Sequence, residues 1–258
     1  MMRIASVADI HFGPESAGTF RPHLEDIGDR ADVLLLAGDL TRVGEPSEGR
    51  IVAEEFRDLP VPVVAVLGNH DFHVNRPGGV IDVLEAAGIR VLEGETFTLE
   101  KNGKRLVVAG VKGFGGGFLG ASGSEFGEQE MKAFMRHTHE RAERLGEALS
   151  SVEGDVRVAL LHYAPVPETL QGERLEIYPF LGSYLLAEAI DAAGADLILH
   201  GHAHAGIERG TTQGGIPVRN VALPVIGRPY KVYCFGADEG CDDDSLPTRS
   251  GVSASVPG

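Results

Sequence analysis

The sequence predicts an α/β fold in which two β-sheets share one domain. Over roughly the first ninety residues, apolar runs typical of strands alternate three times with helical stretches. This is the pattern of parallel strands joined by crossover helices. After Gly88 the chain becomes richer in strands, which indicates a second sheet. Polar residues directly follow strands in both halves, so we expect them to meet at one edge of the fold.

The first half reads as three strand–helix units. The apolar run at residues 33–37 is typical of a strand covered on both faces. Ser47 can cap the helix that follows this strand, and Gly88 ends the third helix. The predicted strands span residues 3–8, 33–37 and 61–67, and the predicted helices span residues 23–30, 47–57 and 80–87.

The second half begins with strand-like segments around a hairpin turn at Asn102-Gly103. The glycine-rich stretch at 110–118 predicts a flexible loop, which we interpret as a mobile rim or lid and whose role the sequence leaves open. The helix at 127–149 could be one element or two. The predicted strands span residues 89–92, 96–99, 105–111, 156–161, 197–199, 218–223 and 231–235, and the predicted helices span residues 127–149 and 185–193.

We therefore predict a single domain over residues 1–236. Residues 237–258 are acidic and rich in Ser, Gly and Pro, a composition that predicts a disordered tail. Two cysteines are few for an oxidising compartment. We expect Cys234 to be a small core residue rather than half of a disulfide.

Composition and charge narrow the classes of function. The net charge of −15 argues against a surface that follows a nucleic-acid backbone, so we expect no nucleic-acid partner. The longest apolar runs are far shorter than a membrane span, and the N-terminus enters a strand at once rather than a secretory signal. We therefore expect a cytoplasmic protein without membrane contacts. The sequence does not indicate its oligomeric state.

Five short clusters hold most of the metal-binding side chains of the chain. Each follows an apolar run that is typical of a buried strand, and together they supply carboxylates, an amide and several imidazoles. Any one of them alone would be an ordinary turn or strand end, but all five together indicate a site for two metal ions. The clusters are Asp9-Ile10-His11, Gly38-Asp39, Gly68-Asn69-His70-Asp71, His162 and Gly201-His202-Ala203-His204.

The mixture of ligand types indicates which ions would bind. Carboxylate, imidazole and amide oxygen suit borderline divalent ions such as Mn, Fe, Zn, Co or Ni. A site for Mg or Ca alone would use few imidazoles, and a structural zinc site would more often use cysteine. Asp9 and His11 lie two residues apart and would face the same side of an extended segment, so one ion can bind both. His202 and His204 could bind the same ion or two different ions.

Roles follow for the residues of the first-half clusters. Asp39 is the candidate to bridge the ions, because Gly38 permits a tight backbone geometry before it. Asn69 can offer its amide oxygen to an ion while its NH₂ group points to a substrate oxygen. His70 could donate a proton to the departing oxygen, and Asp71 could hold its imidazole in the required tautomer.

The order of these motifs resembles the calcineurin-like metallophosphoesterases, and within them bacterial class III cyclic-nucleotide phosphodiesterases. The resemblance covers residues 9–204. It implies a four-layer α/β/β/α sandwich of two mixed sheets flanked by helices, with His70 beside the phosphate and not a ligand. It assigns one ion to Asp9, His11, Asp39 and His204, and the other ion to Asp39, Asn69, His162 and His202.

The expected activity is the hydrolysis of phosphate esters by a hydroxide that bridges two metal ions. The favoured substrate is a small-molecule phosphodiester. The alternatives are a phosphomonoesterase or protein phosphatase, and a non-catalytic interaction module on the same fold. A nuclease is disfavoured by the acidic net charge.

Overall fold

A computed structural model of the chain describes residues 1–236 and 244–246. In chain order its strands are β1 (Met2–Val7), β2 (Val33–Ala37), β3 (Val63–Val66), β4 (Arg90–Val91), β5 (Glu95–Lys101), β6 (Lys104–Gly110), β7 (Gly117–Phe118), β8 (Ala121–Ser122), β9 (Val156–Leu160), β10 (Leu197–His200), β11 (Arg209–Thr211), β12 (Pro217–Asn220), β13 (Lys231–Phe235) and β14 (Asp244–Leu246). Its α-helices are α1 (Ile27–Arg30), α2 (Pro46–Phe56), α3 (Pro77–Ala86), α4 (Gln129–Ser151), α5 (Tyr178–Leu181), α6 (Tyr184–Ala193) and α7 (Leu223–Ile226).

Twelve of the fourteen strands in the described residues form two six-stranded mixed sheets, and β7 and β8 pair with each other in a two-stranded sheet. The first sheet has the order β14-β13-β1-β2-β3-β4, and β1 to β4 run parallel while β13 is antiparallel to β1. The second sheet has the order β11-β12-β10-β9-β6-β5, with a parallel centre from β12 to β6 and an antiparallel strand at each edge. The carboxyl ends of the parallel strands therefore lie on a common edge in each sheet.

The alternation of side chains along β2 shows how the layers form. All five side chains of β2 are fully buried, and full burial of one such side chain contributes about 2 kcal/mol. Leu35 belongs to the apolar cluster between the sheets, which also holds Val108 of β6. Leu34 points the other way, into the cluster that holds Phe56 of α2 and Leu84 of α3. On the far side of the second sheet, residues of α4 and α6 pack with β9 and β10. The predicted four-layer sandwich is confirmed.

Most predicted elements are present, and α4 is a single helix of 23 residues. The predicted helix at 23–30 is wrong in part, because the chain there makes a 3₁₀ turn, Arg21–Leu24, and then only the short α1. Pro22 lies at the start of that turn and supplies no N–H, and the helix does not continue across Glu25 and Asp26. The predicted strand at 218–223 ends at Asn220, and α7 follows it.

The glycine-rich stretch is packed, so its prediction as a flexible loop is wrong. Residues 115–118 are buried. The Gly116 amide donates to the Pro179 carbonyl at 2.7 Å, and the Gly117 amide donates to the Gly182 carbonyl at 2.9 Å. A Cβ on Gly115 would collide with the backbone of Pro179. The glycines here allow close backbone approach rather than mobility.

The predicted tail at 237–258 falls mostly outside the described residues. Within it, β14 pairs with β13 and Leu246 is buried. Cys234 of β13 is buried as expected but is disulfide-bonded, so the expectation of a free thiol is wrong. In the part of the chain that the structure covers, none of the helices has the length and apolar character needed to cross a membrane.

Candidate metal centre

The sandwich brings the predicted ligands together at one rim. Asp9 and His11 follow β1, Asp39 follows β2 and Asn69 follows β3, all in the first sheet. His162 follows β9, and His202 and His204 follow β10, in the second sheet. Six of these residues form two groups whose ligand atoms lie within 4.8 Å of one another: Asp9, His11, Asp39 and His204 in one group, and Asp39, His162 and His202 in the other.

Asp39 belongs to both groups, as expected for a bridging carboxylate. Its Oδ1 lies 3.3 Å from His162 Nε2, and its Oδ2 lies 3.8 Å from His11 Nε2. Asn69 joins the second group, because its Oδ1 lies 2.9 Å from His162 Nε2. In the first group, His204 Nε2 lies 2.9 Å from Asp9 Oδ1 and 3.4 Å from His11 Nε2. The structure therefore juxtaposes all seven predicted ligands.

The backbone at the centre is left-handed at four proposed ligands. The φ angles are 58° at Asp9, 44° at His11, 51° at Asp39 and 71° at His202. Our expectation that Asp9 and His11 lie on an extended segment is therefore wrong. Non-glycine residues adopt this conformation at a cost in free energy, and such strain concentrates at functional sites. Two hydrogen bonds help to hold it, from the Asp9 amide to Gly38 O and from the His11 amide to Asp39 O, both 3.0 Å.

Two glycines allow the ligand loops to approach this closely. Gly38 has a φ of +88°, and a Cβ there would lie 2.5 Å from His162 Nδ1. A Cβ on Gly201 would lie 2.5 Å from the Ala8 side chain and would collide with the Asp9 carboxylate. Both contacts join the first sheet to the second. Glycine is therefore required where the two halves of the site meet.

Hydrogen bonds orient two of the imidazoles, those of His162 and His202. His162 Nδ1 lies 2.9 Å from the Ala37 carbonyl, so Nδ1 carries the proton and Nε2 faces Asp39 and Asn69. The backbone N–H of His202 donates to Asp9 Oδ2 at 2.9 Å, and its Nε2 lies 3.2 Å from the Phe180 carbonyl. Because a carbonyl oxygen only accepts hydrogen bonds, Nε2 of His202 carries the proton, and Nδ1 of the neutral ring keeps its lone pair. None of these carbonyl partners carries a signal in the sequence, because every residue has a carbonyl group.

The electrostatics of the protein groups favour a cation at the centre. Burial tends to raise the pKa of Asp39, but the charge and hydrogen bond of His162 outweigh burial and hold that pKa well below its usual range. Burial tends to lower the pKa of His162, but the Asp39 carboxylate outweighs it and raises the pKa to about 9. Burial lowers the pKa of His202 to about 3. The ionised Asp39 carboxylate beside the neutral His202 imidazole, which keeps a lone pair, is a donor combination that fits divalent transition metals.

The structure gives Asp71 a different role from the one predicted. Its Oδ1 accepts hydrogen bonds from the Thr41 amide at 2.8 Å and the Thr41 hydroxyl at 2.6 Å. Its Oδ2 accepts from the amides of Gly68 at 2.8 Å and Leu40 at 3.2 Å. The expectation that Asp71 orients His70 is therefore wrong. The reason is geometric, because the 3₁₀ turn His70–Phe72 directs these neighbouring side chains differently.

His70 lies at the edge of the first group. Its ring centroid is 4.5 Å from that of His11, and its backbone N–H donates to Asp39 Oδ1 at 2.8 Å. Its Nδ1 lies 2.7 Å from the Arg42 carbonyl, which places a proton on Nδ1 and leaves Nε2 available. This position suits a residue that acts on substrate, although the residue that orients it is Arg42, which the sequence did not indicate.

Lys112 and His200 also lie close to the centre. The Lys112 ammonium is 5.0 Å from the ring centroids of Phe114 and Tyr163, and burial lowers its pKa. His200 is fully buried, and its Nε2 lies 2.9 Å from Thr169 Oγ1, so it packs inside the fold beside the centre.

Two curated relatives share sequence with this chain. YpbG of Bacillus subtilis (strain 168) is 25% identical over 195 residues, which are 74% of this chain and 54% of that protein. An uncharacterised metallophosphoesterase of Aquifex aeolicus (strain VF5) is 32% identical over 123 residues, which are 46% of this chain and 45% of that protein. The chain thus spans about half the length of the curated relatives it matches.

This chain is also similar to a solved structure and matches the sequence pattern of a protein family. The phosphopantetheinyl hydrolase PptH of Mycobacterium tuberculosis superposes with a TM-score of 0.63 at 15% identity, over 86% of this chain and 89% of that one, a likeness of fold alone. The sequence model of the calcineurin-like phosphoesterases matches residues 2–206, a span that contains every proposed ligand. The chain therefore belongs to the calcineurin-like phosphoesterase family.

Proposed function

We propose that this chain hydrolyses phosphate esters with two divalent transition-metal ions, and that its substrate is a small-molecule phosphodiester. The observation that carries the proposal is the pair of donor groups that share Asp39. Membership of the calcineurin-like phosphoesterase family supports the same reaction.

The proposed ligands divide between the ions as the motifs imply. Asp9, His11, Asp39 and His204 would hold one ion, and Asp39, Asn69, His162 and His202 would hold the other. When bound, such a pair supplies a nucleophile at neutral pH and neutralises charge on the phosphate. The donor set suits Mn, Fe, Zn, Co or Ni, and it does not choose among them.

Asn69 and His70 act on the substrate in this proposal. The Asn69 Oδ1 is directed at His162 Nε2, so the NH₂ end is free to donate to a non-bridging phosphate oxygen. His70 holds its Nδ1 proton on the Arg42 carbonyl, so it donates from Nε2, in its protonated form, to the leaving oxygen. Asn69 is positioned by the His162 side chain and His70 by a backbone carbonyl, so both need little reorganisation during the reaction.

The charges near the centre favour a diester, which carries one negative charge, over a monoester dianion. Arg42 forms an ion pair with Glu15 at the surface, so this carboxylate competes with a phosphate for the guanidinium group. Lys112 is buried among aromatic rings. The proposed ions would therefore carry most of the positive charge available to the phosphate.

A substrate panel tests the proposal. Protein loaded with each candidate metal is incubated with bis(4-nitrophenyl) phosphate, 4-nitrophenyl phosphate, cyclic nucleotides and single-stranded DNA, and product is measured. We expect the diester to turn over faster than the monoester. We expect Asp39→Ala to lose both bound metal and turnover, because it removes the shared ligand.

The other outcomes identify the alternatives. Faster turnover of the monoester would indicate a phosphomonoesterase or protein phosphatase. Cleavage of DNA would indicate a nuclease despite the acidic charge. No turnover with any of the metals would contradict an enzymatic role and indicate a non-catalytic interaction module.

A further inference from the structure

Several large apolar residues are exposed in the described part of the chain, and one of them, Phe180, adjoins the candidate metal centre. Burial of apolar groups is favourable, so an exposed apolar surface beside a functional site indicates a binding surface. Three of these residues, Leu175, Phe180 and Ile207, lie on segments that contact the loop with His202 and His204, and we call them the apolar rim. The exposed large apolar residues of the described part are Leu119, Phe126, Met131, Leu175, Phe180 and Ile207.

Phe180 is a member of the apolar rim that contacts a proposed ligand directly. Its carbonyl oxygen lies 3.2 Å from His202 Nε2, yet the residue as a whole is 60% exposed. Its neighbours in α5 are fixed by hydrogen bonds, from the Gly116 amide to Pro179 O at 2.7 Å and from the Ala164 amide to Leu181 O at 3.0 Å. A rigid backbone next to a proposed ligand therefore presents an aromatic side chain to solvent.

A continuous series of aromatic contacts supports the Phe180 ring. Its centroid lies 6.4 Å from that of Phe134, in an edge-to-face contact. Phe134 contacts Phe114 at 5.1 Å, and Phe114 contacts Tyr163 at 5.7 Å. Tyr163 in turn contacts His202 at 4.4 Å. On one side, therefore, ring contacts connect Phe180 to the proposed ligand His202.

The other two members of the apolar rim flank the same loop. Glu173, two residues before Leu175, accepts a hydrogen bond from the Ala205 amide at 2.8 Å. The Ile207 amide donates to the Thr169 carbonyl at 3.1 Å. The Leu175 segment is therefore bonded to the loop, and Ile207, which follows the loop in the chain, is bonded to Thr169; both residues are exposed.

We propose that the apolar rim binds the organic group of the substrate, that this group is a planar aromatic ring, and that Phe180 stacks on it. The proposal rests on the proposed function, because it places the phosphate at the metal centre. An aromatic ring is favoured because Phe180 is itself aromatic and held by a rigid backbone, and offset stacking adds to the burial of area. Such a ring can belong to an aryl ester or to a nucleobase.

Phosphonates that differ only in their organic group test the proposal by direct binding. Phenylphosphonate, cyclohexylphosphonate and methylphosphonate are titrated into metal-loaded protein by calorimetry. We expect phenylphosphonate to bind on the order of tenfold more tightly than methylphosphonate, and more tightly than cyclohexylphosphonate, which has a similar size but is not planar.

Substitutions test whether Phe180 is the residue that gives the preference for phenylphosphonate. Phe180→Ala should lose the preference for phenylphosphonate while its affinity for methylphosphonate and its metal content stay within about twofold, and Phe180→Trp should retain the preference. Phe126→Ala is the matched control, since Phe126 is 88% exposed and lies outside the apolar rim. We expect it to bind all three probes as the wild type does.

Each contrary result has a distinct meaning. An unchanged preference in Phe180→Ala, or none in the wild type, would overturn the proposal. Equal affinity for the phenyl and cyclohexyl probes would overturn the requirement for a planar ring. An equal loss of all three probes in Phe180→Ala would show a structural role through His202. Failure of the proposed function would instead appear as wild-type protein that turns over no ester.

Discussion

Asp71 holds the loop after β2 to the loop after β3 with one buried carboxylate. Its four hydrogen bonds go to the backbone and hydroxyl donors of Leu40, Thr41 and Gly68, which lie next to Asp39 and Asn69. Burial raises the pKa of Asp71 to about 6, and these hydrogen bonds oppose that increase. The adjacent residues His70 and Asp71 therefore differ, because His70 lies at the edge of the candidate centre, where we propose that it acts on substrate, and Asp71 is buried within the fold.

Substitution of these two residues should separate stability from turnover. Asp71→Ala leaves three buried N–H groups and a hydroxyl without their acceptor, so we expect a loss of about 3 kcal/mol or more in the free energy of unfolding. His70→Ala removes one contact with a backbone carbonyl, so we expect stability within about 1 kcal/mol of wild type, normal metal content and slower turnover of a nitrophenyl diester. Urea unfolding, metal analysis and kinetics measure these quantities. Wild-type turnover in His70→Ala would refute its assigned role.

The directions of the strands determine where the candidate metal centre lies. Parallel strands β1, β2 and β3 end at one edge of the first sheet, and β9 and β10 end at the corresponding edge of the second. Helices α2 and α3 cover the outer face of the first sheet, and α2 also fixes the loop after the Asp9–His11 segment. Glu55 of α2 is buried and accepts hydrogen bonds from the amides of Phe20 at 3.0 Å and Arg21 at 2.5 Å.

Removal of the Glu55 charge should loosen that loop. Glu55→Gln keeps the size of the side chain but turns an NH₂ group toward backbone donors, so we expect a loss of about 2 kcal/mol in stability. Glu54→Gln on the same helix is the control, because Glu54 is exposed and pairs with Arg57 at 3.2 Å, and surface pairs contribute little. Thermal unfolding of both variants measures the difference. Equal effects would contradict the role of Glu55.

Across the whole molecule, the candidate centre joins the two sheets of the sandwich. The first sheet supplies the two carboxylates and the amide, and the second supplies three of the four imidazoles. The interface between the two sheets is apolar, and its side chains are buried. This packing fixes the distance between the sheet edges that carry the proposed ligands. Bound cations would add a further connection and offset part of the net charge of −15.

Metal removal should therefore destabilise the whole domain. Ions that bind only the folded state contribute about 2.7 kcal/mol when their free concentration is a hundred times Kd. We expect chelation to lower the unfolding temperature of the wild type and to leave that of Asp39→Ala nearly unchanged. Scanning calorimetry with and without chelator measures both. An equal response of the two proteins would show that metal acts elsewhere than at Asp39.

The sequence alone determined the fold class and the set of candidate ligands. Apolar periodicity reports burial over a few neighbouring residues, so β2, α4 and their order could be predicted locally. The motifs from Asp9 to His204 could be read because their residue types and order are distinctive. Stretches in which Gly or Pro breaks the periodicity, such as 110–118 and 21–30, carry a weaker local signal for their structure.

Only the tertiary structure decided which atoms meet. His162 Nδ1 contacts the carbonyl of Ala37, 125 residues away, and Phe180 contacts His202 across 22 residues. The left-handed backbone at Asp9 and the donors that surround Asp71 likewise depend on loops from several strands. Backbone carbonyl and amide groups are the same in every residue, so their pairing carries no local signal. It follows instead from the packing of the two sheets, which the sequence specifies only through the folded chain as a whole.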